Sequence, residues 1–93
     1  MIIGCLELEI YLPYSHSLKE KRQRLKRLKD RLKIRYNVAF AELDYQDKWQ
    51  RSRIGMVTLN SRKGVIEKTF NQIIRDIEEN IDGELLHTEI SYL

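Results

Sequence analysis

Cysteine, proline, histidine and long apolar runs are scarce in this chain, and each scarcity excludes something. A single cysteine, Cys5, in 93 residues rules out an internal disulfide. Cys5 reads as a small strand residue, not as a reactive thiol. One proline and four glycines leave no linker, and no low-complexity tract divides the chain. No stretch approaches the roughly 18 apolar residues that a membrane helix needs. The opening Met-Ile-Ile-Gly-Cys-Leu-Glu-Leu-Glu lacks a basic start and meets carboxylates early, unlike a signal peptide. His16 and His87 are the only histidines, and with the lone cysteine they compose no metal-ligand spacing. These features predict a cytoplasmic protein with no membrane segment, no metal and no other cofactor.

Charge is what the chain has in quantity. Hydrophobic residues make up 42% and charged residues 33%, the balance of a folded domain. The length suits one domain, residues 1–93, with a modest core. The net charge of +3 hides an asymmetry. Between Ser17 and Arg35 ten basic residues face only Glu20 and Asp30, a net of +8. The remainder holds seven basic and twelve acidic residues, a net of −5.

Hydrophobic periodicity places the elements. From Ile2 to Leu12, Leu6, Leu8, Ile10 and Leu12 alternate with Cys5, Glu7, Glu9 and Tyr11, which predicts a strand with one buried face. Ser17-Leu18-Lys19-Glu20 is a capping box and predicts a helix start. Leu18, Leu25, Leu28, Leu32 and Tyr36 then form an apolar stripe about 80° wide at helical spacing. Lys21, Lys29 and Arg35 lie on or beside that stripe, with stems on the core and charges lifted out. Arg24, Arg27 and Arg31 are expected on the far side, flanked by Lys19 and Lys26. Asn37–Leu43 and about Arg53–Asn60 read as strands joined through the polar segment Asp44–Gln50. Asn60 or Ser61 is placed to cap a second helix with the stripe Ile66, Phe70, Ile73, Ile74, Ile77 and Ile81. Asp82-Gly83 is expected to stop it through a left-handed glycine. A last strand runs from about Leu85 to Tyr92.

The order β-α-β-β-α-β predicts an α+β, ferredoxin-like fold. It is a four-stranded antiparallel sheet with two helices on one face, and the first and third strands are central. The other sheet face has nothing in the chain to cover it.

Leu12-Pro13, Ser17-Leu18-Lys19-Glu20-Lys21-Arg22, Asn37-Val38, Ala41-Glu42, Asp44 and Gln46-Asp47-Lys48-Trp49-Gln50-Arg51 resemble the YlxP-like family of small bacterial proteins of unknown function. The likeness spans nearly the whole chain. It implies a ferredoxin-like fold and, through the family's frequent place beside genes for translation and ribosome maturation, an association with that machinery. It transfers no catalytic residue.

The basic helix is the leading functional feature. Lys and Arg neutralise phosphates and release counterions, and Arg adds bidentate geometry. Lys19, Lys21, Arg22, Arg24, Lys26, Arg27 and Arg31 are therefore candidate nucleic-acid contacts, with RNA or the ribosome as the expected partner. An ordinary solvated helix face and an acidic protein partner are the competing readings. Sheet-face binding of RNA is disfavoured, since Glu7 and Glu9 repel phosphate. Trp49 reads first as a cap on the core edge; a base-stacking platform or an interface anchor is the alternative. Glu42 and Arg51 are expected to pair across the hairpin. Ser17 is explained by capping, and the loop Pro13-Tyr14-Ser15-His16 has neither the Arg nor the Gly-rich cradle of an acylphosphatase. No small-molecule site is legible, so a non-enzyme is expected. The rival to nucleic-acid binding is an assembly module, a homodimer formed through the uncovered sheet face with Ile3 and Tyr11 or through an edge strand.

Overall fold

The computed structural model describes all of residues 1–93. Strand β1 (Ile2–Tyr11) leads to helix α1 (Leu18–Arg35), then β2 (Ala39–Asp44), β3 (Arg51–Asn60), helix α2 (Lys63–Asn80) and β4 (Glu84–Tyr92). The sheet order is β2-β3-β1-β4, every pair antiparallel, so β1 and β3 are central as the element order predicts. This is the ferredoxin-like arrangement, and no helix in it is long and apolar enough to cross a membrane.

Both helices lie against the face that carries Leu6, Leu8 and Ile10 of β1 and Ile54 and Met56 of β3, all buried. Leu25 and Leu32 of α1 and Ile66, Phe70, Ile73 and Ile77 of α2 close the core, as their helical spacing requires. Gly4 lets α2 approach β1, because a Cβ there would stand 2.5 Å from Ile66 Cγ2.

Helix α1 starts where the capping box predicts, with the Glu20 carboxylate on the N–H of His16 in place of that of Ser17. Ser17 Oγ accepts from the Glu20 N–H at 3.0 Å, and Glu20 Oε2 accepts from the N–H of His16, one residue ahead of the cap. Helix α2 departs from expectation at both ends. Its N-cap is Arg62, with no side-chain cap, and Asn60 Oδ1 instead accepts from the Arg62 N–H in a local turn. It ends at Asn80 through an extended Ile81, and Gly83 has no positive φ. Gly83 is needed for another reason: a Cβ there would collide with the Tyr11 carbonyl oxygen.

Two loops meet beyond the end of β1. The Leu12 N–H donates to the Gln50 carbonyl at 2.8 Å, and Gln50 Nε2 donates to the Pro13 and Ser15 carbonyls, each at 3.1 Å. The β1–α1 and β2–β3 connections are thereby one stapled unit.

Candidate nucleic-acid interface

The ten cations of α1 divide into two groups of five. Lys21, Arg24, Lys26, Arg31 and Arg35 each reach a carboxylate. Lys19, Arg22, Arg27, Lys29 and Lys33 are exposed and pair with none. The two acids of the helix are both engaged, Glu20 at the N-terminus and Asp30 with Lys26 Nζ at 2.7 Å. That hydrogen bond, foremost, holds the Asp30 carboxyl below its usual range. The exposed side of α1 therefore offers cations with no free carboxylate among them.

Arg24 and Arg31 do not lie on the far side of α1. At 100° per residue they flank the apolar stripe on the side of α2. Arg24 Nη1 lies 3.4 Å from Asp82 Oδ2. The buried Asp76 carboxylate takes Arg31 Nε at 2.9 Å and Arg35 Nη1 at 2.7 Å. The Arg31 contact is an ion pair whose angle falls short of a hydrogen bond. Arg24, Arg27 and Arg31 rim a groove of about 350 Å³ floored by Ile10, Leu12 and Leu28. Among the sequence-selected residues, the structure thus groups Arg24, Arg27 and Arg31 in one groove. It leaves Lys19 and Arg22 on open surface and turns Lys26 toward Asp30.

Lys21 is the correction. Its side chain is wholly buried, so it cannot touch a phosphate, and its charge is not lifted out of the core. Nζ lies 2.9 Å from Glu42 Oε2 and donates to the carbonyls of Tyr45 at 2.6 Å and Arg51 at 3.3 Å. Glu42 also accepts from Ser52 Oγ at 2.6 Å. The expected Glu42–Arg51 pair does not form; Arg51 instead reaches Glu9 across the sheet at 3.1 Å. Desolvating a lysine is tolerable only when its donors are satisfied, and here they are. Lys21 lies within the apolar stripe, about 40° from Leu25, and its charge stays inside because Glu42 and the Tyr45 and Arg51 carbonyls, distant in the chain, hold it there.

The helix-free sheet face is less acidic than β1 alone suggests. Register places Glu9 beside Arg53 and Glu7 two residues away. Arg53 donates to Glu7 at 2.7 Å and to Glu9 at 3.0 Å. The Glu7 hydrogen bond, more than any other influence, keeps its guanidinium more firmly protonated than an isolated one. An apolar patch with Val57, Leu59 and Leu43 exposed lies at one end of this face. At the other end, Tyr11, Tyr45, Trp49 and Arg51 border a cleft of about 650 Å³. The sequence offered one signal for that convergence, since an antiparallel partner for Tyr11 must come from the start of β3. No three of His, Cys, Asp and Glu gather as metal ligands.

A ferredoxin-like α+β sandwich, with cations concentrated on one helix and an aromatic cleft at the loop end, is the class that fold and surface define. Solved structures confirm the fold alone. The de novo designed proteins Ferredog-Diesel and Foldit4 each superpose with a TM-score of 0.52, at 14% and 15% identity. The first match covers 96% of this chain and 83% of the design; the second covers 99% and 94%. The chain belongs to the family described as protein of unknown function (DUF503), whose model matches residues 3–90. It is similar to the uncharacterized protein YlxP of Bacillus subtilis (strain 168), 34% identical over 90 residues, which are 95% of this chain and 98% of that protein.

Proposed function

We propose that this is a non-enzymatic cytoplasmic protein that binds RNA or the ribosome through the exposed side of α1. One observation carries the reading: Lys19, Arg22, Arg27, Lys29 and Lys33 stand exposed on a single helix with no carboxylate partner. Helix α2, by contrast, intersperses Lys63, Lys68 and Arg75 with Glu67, Glu78 and Glu79, the ordinary solvated pattern. Contacts of this kind position a partner without reading its sequence. Five phosphate contacts give a salt slope of about −3.5 on single strands and about −4.5 on duplex, a loss of roughly a hundred- to five-hundredfold between about 50 and 200 mM salt. The test is binding to structured ribosomal RNA at those two concentrations, for wild type and for Arg22→Glu/Arg27→Glu/Lys29→Glu. Wild-type affinity should show the steep slope, and the triple variant should lose most of it. Negligible binding at low salt, or binding indifferent to the triple reversal, sinks the reading.

A second reading, compatible with the first, is homodimerisation through the helix-free sheet face. Leu59 is 54% exposed and Leu43 44%, on a face with no covering element. Light scattering well above micromolar concentration decides it; a monomer there removes the idea.

A further inference from the structure

The cleft at the end of β1 is built from parts that the basic helix does not use. Tyr11 closes β1 directly opposite Arg51, which opens β3. Tyr45, Lys48 and Trp49 come from the β2–β3 loop and His16 from the β1–α1 loop, and all six side chains line one concavity. Trp49 is 55% exposed, so it does not cap the core. Arg51 Cζ stands 5.2 Å from the centre of the Tyr45 ring, a cation–π distance.

The backbone that carries these rings is held from beneath. Tyr45 has φ 63°, the single positive value at a non-glycine residue. A residue there costs free energy that its surroundings must over-determine. The surroundings are buried Lys21, whose Nζ takes the Tyr45 and Arg51 carbonyls, together with Gln50, which ties the loop to Pro13 and Ser15. Exposed Tyr11 and Trp49 beside half-buried Tyr45 on so fixed a backbone form a prepared surface rather than a loose loop.

The lining selects its occupant. Three aromatic rings border the cleft, and Lys48 and Arg51, the latter also held by Glu9, stand beside Asp47, the one carboxylate in the lining. Stacking beside cations is the chemistry that recognises unpaired nucleotides. The volume of about 650 Å³ falls in the range of roughly 300–1,000 Å³ usual for small-ligand sites. Helix α1 opens at Leu18, two residues after His16, so its first exposed cation, Lys19, follows the cleft closely in the chain.

We propose that the cleft takes an unstacked nucleotide of single-stranded RNA. The base lies against Trp49 and the tyrosines, and its phosphate meets Lys48 and Arg51. The inference rests on the reading of α1 only for the identity of the polymer.

Trp49 is the only tryptophan, so its fluorescence reports on this cleft alone. The probe is a labelled single-stranded oligoribonucleotide of about eight residues at low salt. Trp49 emission and label anisotropy are followed together, with a blunt RNA duplex and inorganic phosphate as controls. Quenching that saturates with the anisotropy is expected for the single strand, with neither duplex nor phosphate reproducing it. Trp49→Ala should weaken the single strand roughly five- to hundredfold and spare the duplex, while Trp49→Phe keeps most of the affinity. The exposed position makes these variants foldable, and an unchanged denaturation midpoint checks that. Anisotropy without quenching, or an unaffected Trp49→Ala, overturns the cleft and leaves the helix reading standing. Quenching by phosphate alone also overturns it. Quenching that survives the triple α1 reversal supports the cleft and sinks the helix reading; absence of any binding sinks both.

Discussion

Lys21 Nζ lies 2.9 Å from Glu42 Oε2, with the lysine side chain entirely out of solvent. The pair joins the first turns of α1 to β2, and with the Tyr45 and Arg51 carbonyls it also fixes the β2–β3 loop. Lys21 and Glu42 belong to two of the separated segments that carry the likeness to the family. Those segments are thus two halves of one contact, distant in the chain and joined in the fold.

Lys21→Met should lower stability by about 3–5 kcal/mol, the range for breaking one side of a buried ion pair. The variant strands Glu42 with Ser52 as its remaining partner, removes the Lys21 donor from the Arg51 carbonyl and leaves the Tyr45 carbonyl with the Lys48 N–H alone. Lys21→Met/Glu42→Leu should cost less than the two single changes together, by about 1–3 kcal/mol of coupling. Urea denaturation midpoints give both values. A loss under about 1 kcal/mol for Lys21→Met contradicts the clamp.

Asp76→Asn tests the link between α1 stability and α1 charge. The carboxylate holds Arg31 and Arg35 against α2 and is itself only 5% exposed. Removing its charge should cost about 1–2 kcal/mol, because both guanidiniums can swing out and rehydrate. Two more cations are then free on the helix that we propose binds RNA. Affinity at low salt should rise while the melting temperature falls, and each added contact steepens the salt slope by about 0.7–0.9. Affinity falling in step with stability shows instead that the arginines act only as struts.

The elements were legible because their signals are local. Alternation in β1, the Ser17–Glu20 box and the isoleucine stripe of α2 each fix short-range geometry, and pairing rules then order the strands. The site was legible only as a charge surplus. Which cations are spent depends on partners far along the chain: Arg24 on Asp82, Arg31 on Asp76, Lys21 on Glu42. The aromatic cleft was harder still, since Tyr11, Tyr45 and Trp49 meet through the β1–β3 register and the Tyr45 backbone conformation. Gly83 misled because glycine after a helix suggests a left-handed cap, whereas here it clears the Tyr11 carbonyl.

Tyr92 should make the stability of the fold decline at alkaline pH. Its hydroxyl is shut from solvent with no hydrogen-bond partner, and burial first, then the charge of Glu67, raises its pKa above 10.0. A phenol whose folded pKa exceeds the unfolded one stabilises the fold fully below about pH 10. That contribution fades as pH rises through the folded value. In an ultraviolet titration Tyr92 should ionise above the ordinary phenol range. Tyr92→Phe removes a hydroxyl with no partner, so its denaturation midpoint at neutral pH should hold or rise. Its decline above pH 10 should also be shallower; an unchanged alkaline profile rules Tyr92 out as the cause.

Gly4 and Gly55 make the same substitution distinguish the two faces of the sheet. An alanine Cβ at Gly4 would stand 2.5 Å from Ile66 Cγ2 and 3.0 Å from Phe70 Cε2. Both neighbours are buried in the core and cannot move aside without displacing others. Gly4→Ala should therefore cost about 1–3 kcal/mol by overpacking. At Gly55 the Cβ would meet Leu43 Cδ1 at 2.7 Å, a comparable encroachment by distance alone. Leu43, however, is 44% exposed on the face that no element covers, and its side chain can turn into solvent. Alanine also loses less backbone freedom on folding than glycine, worth roughly 0.5–1 kcal/mol in a strand. Gly55→Ala should hold or raise the denaturation midpoint in the monomer. If the face is a dimer contact, Leu43 has no solvent to turn into, and the same variant should weaken the dimer in light scattering. Equal loss at both positions in a monomer rejects the claim that one face is packed and the other open.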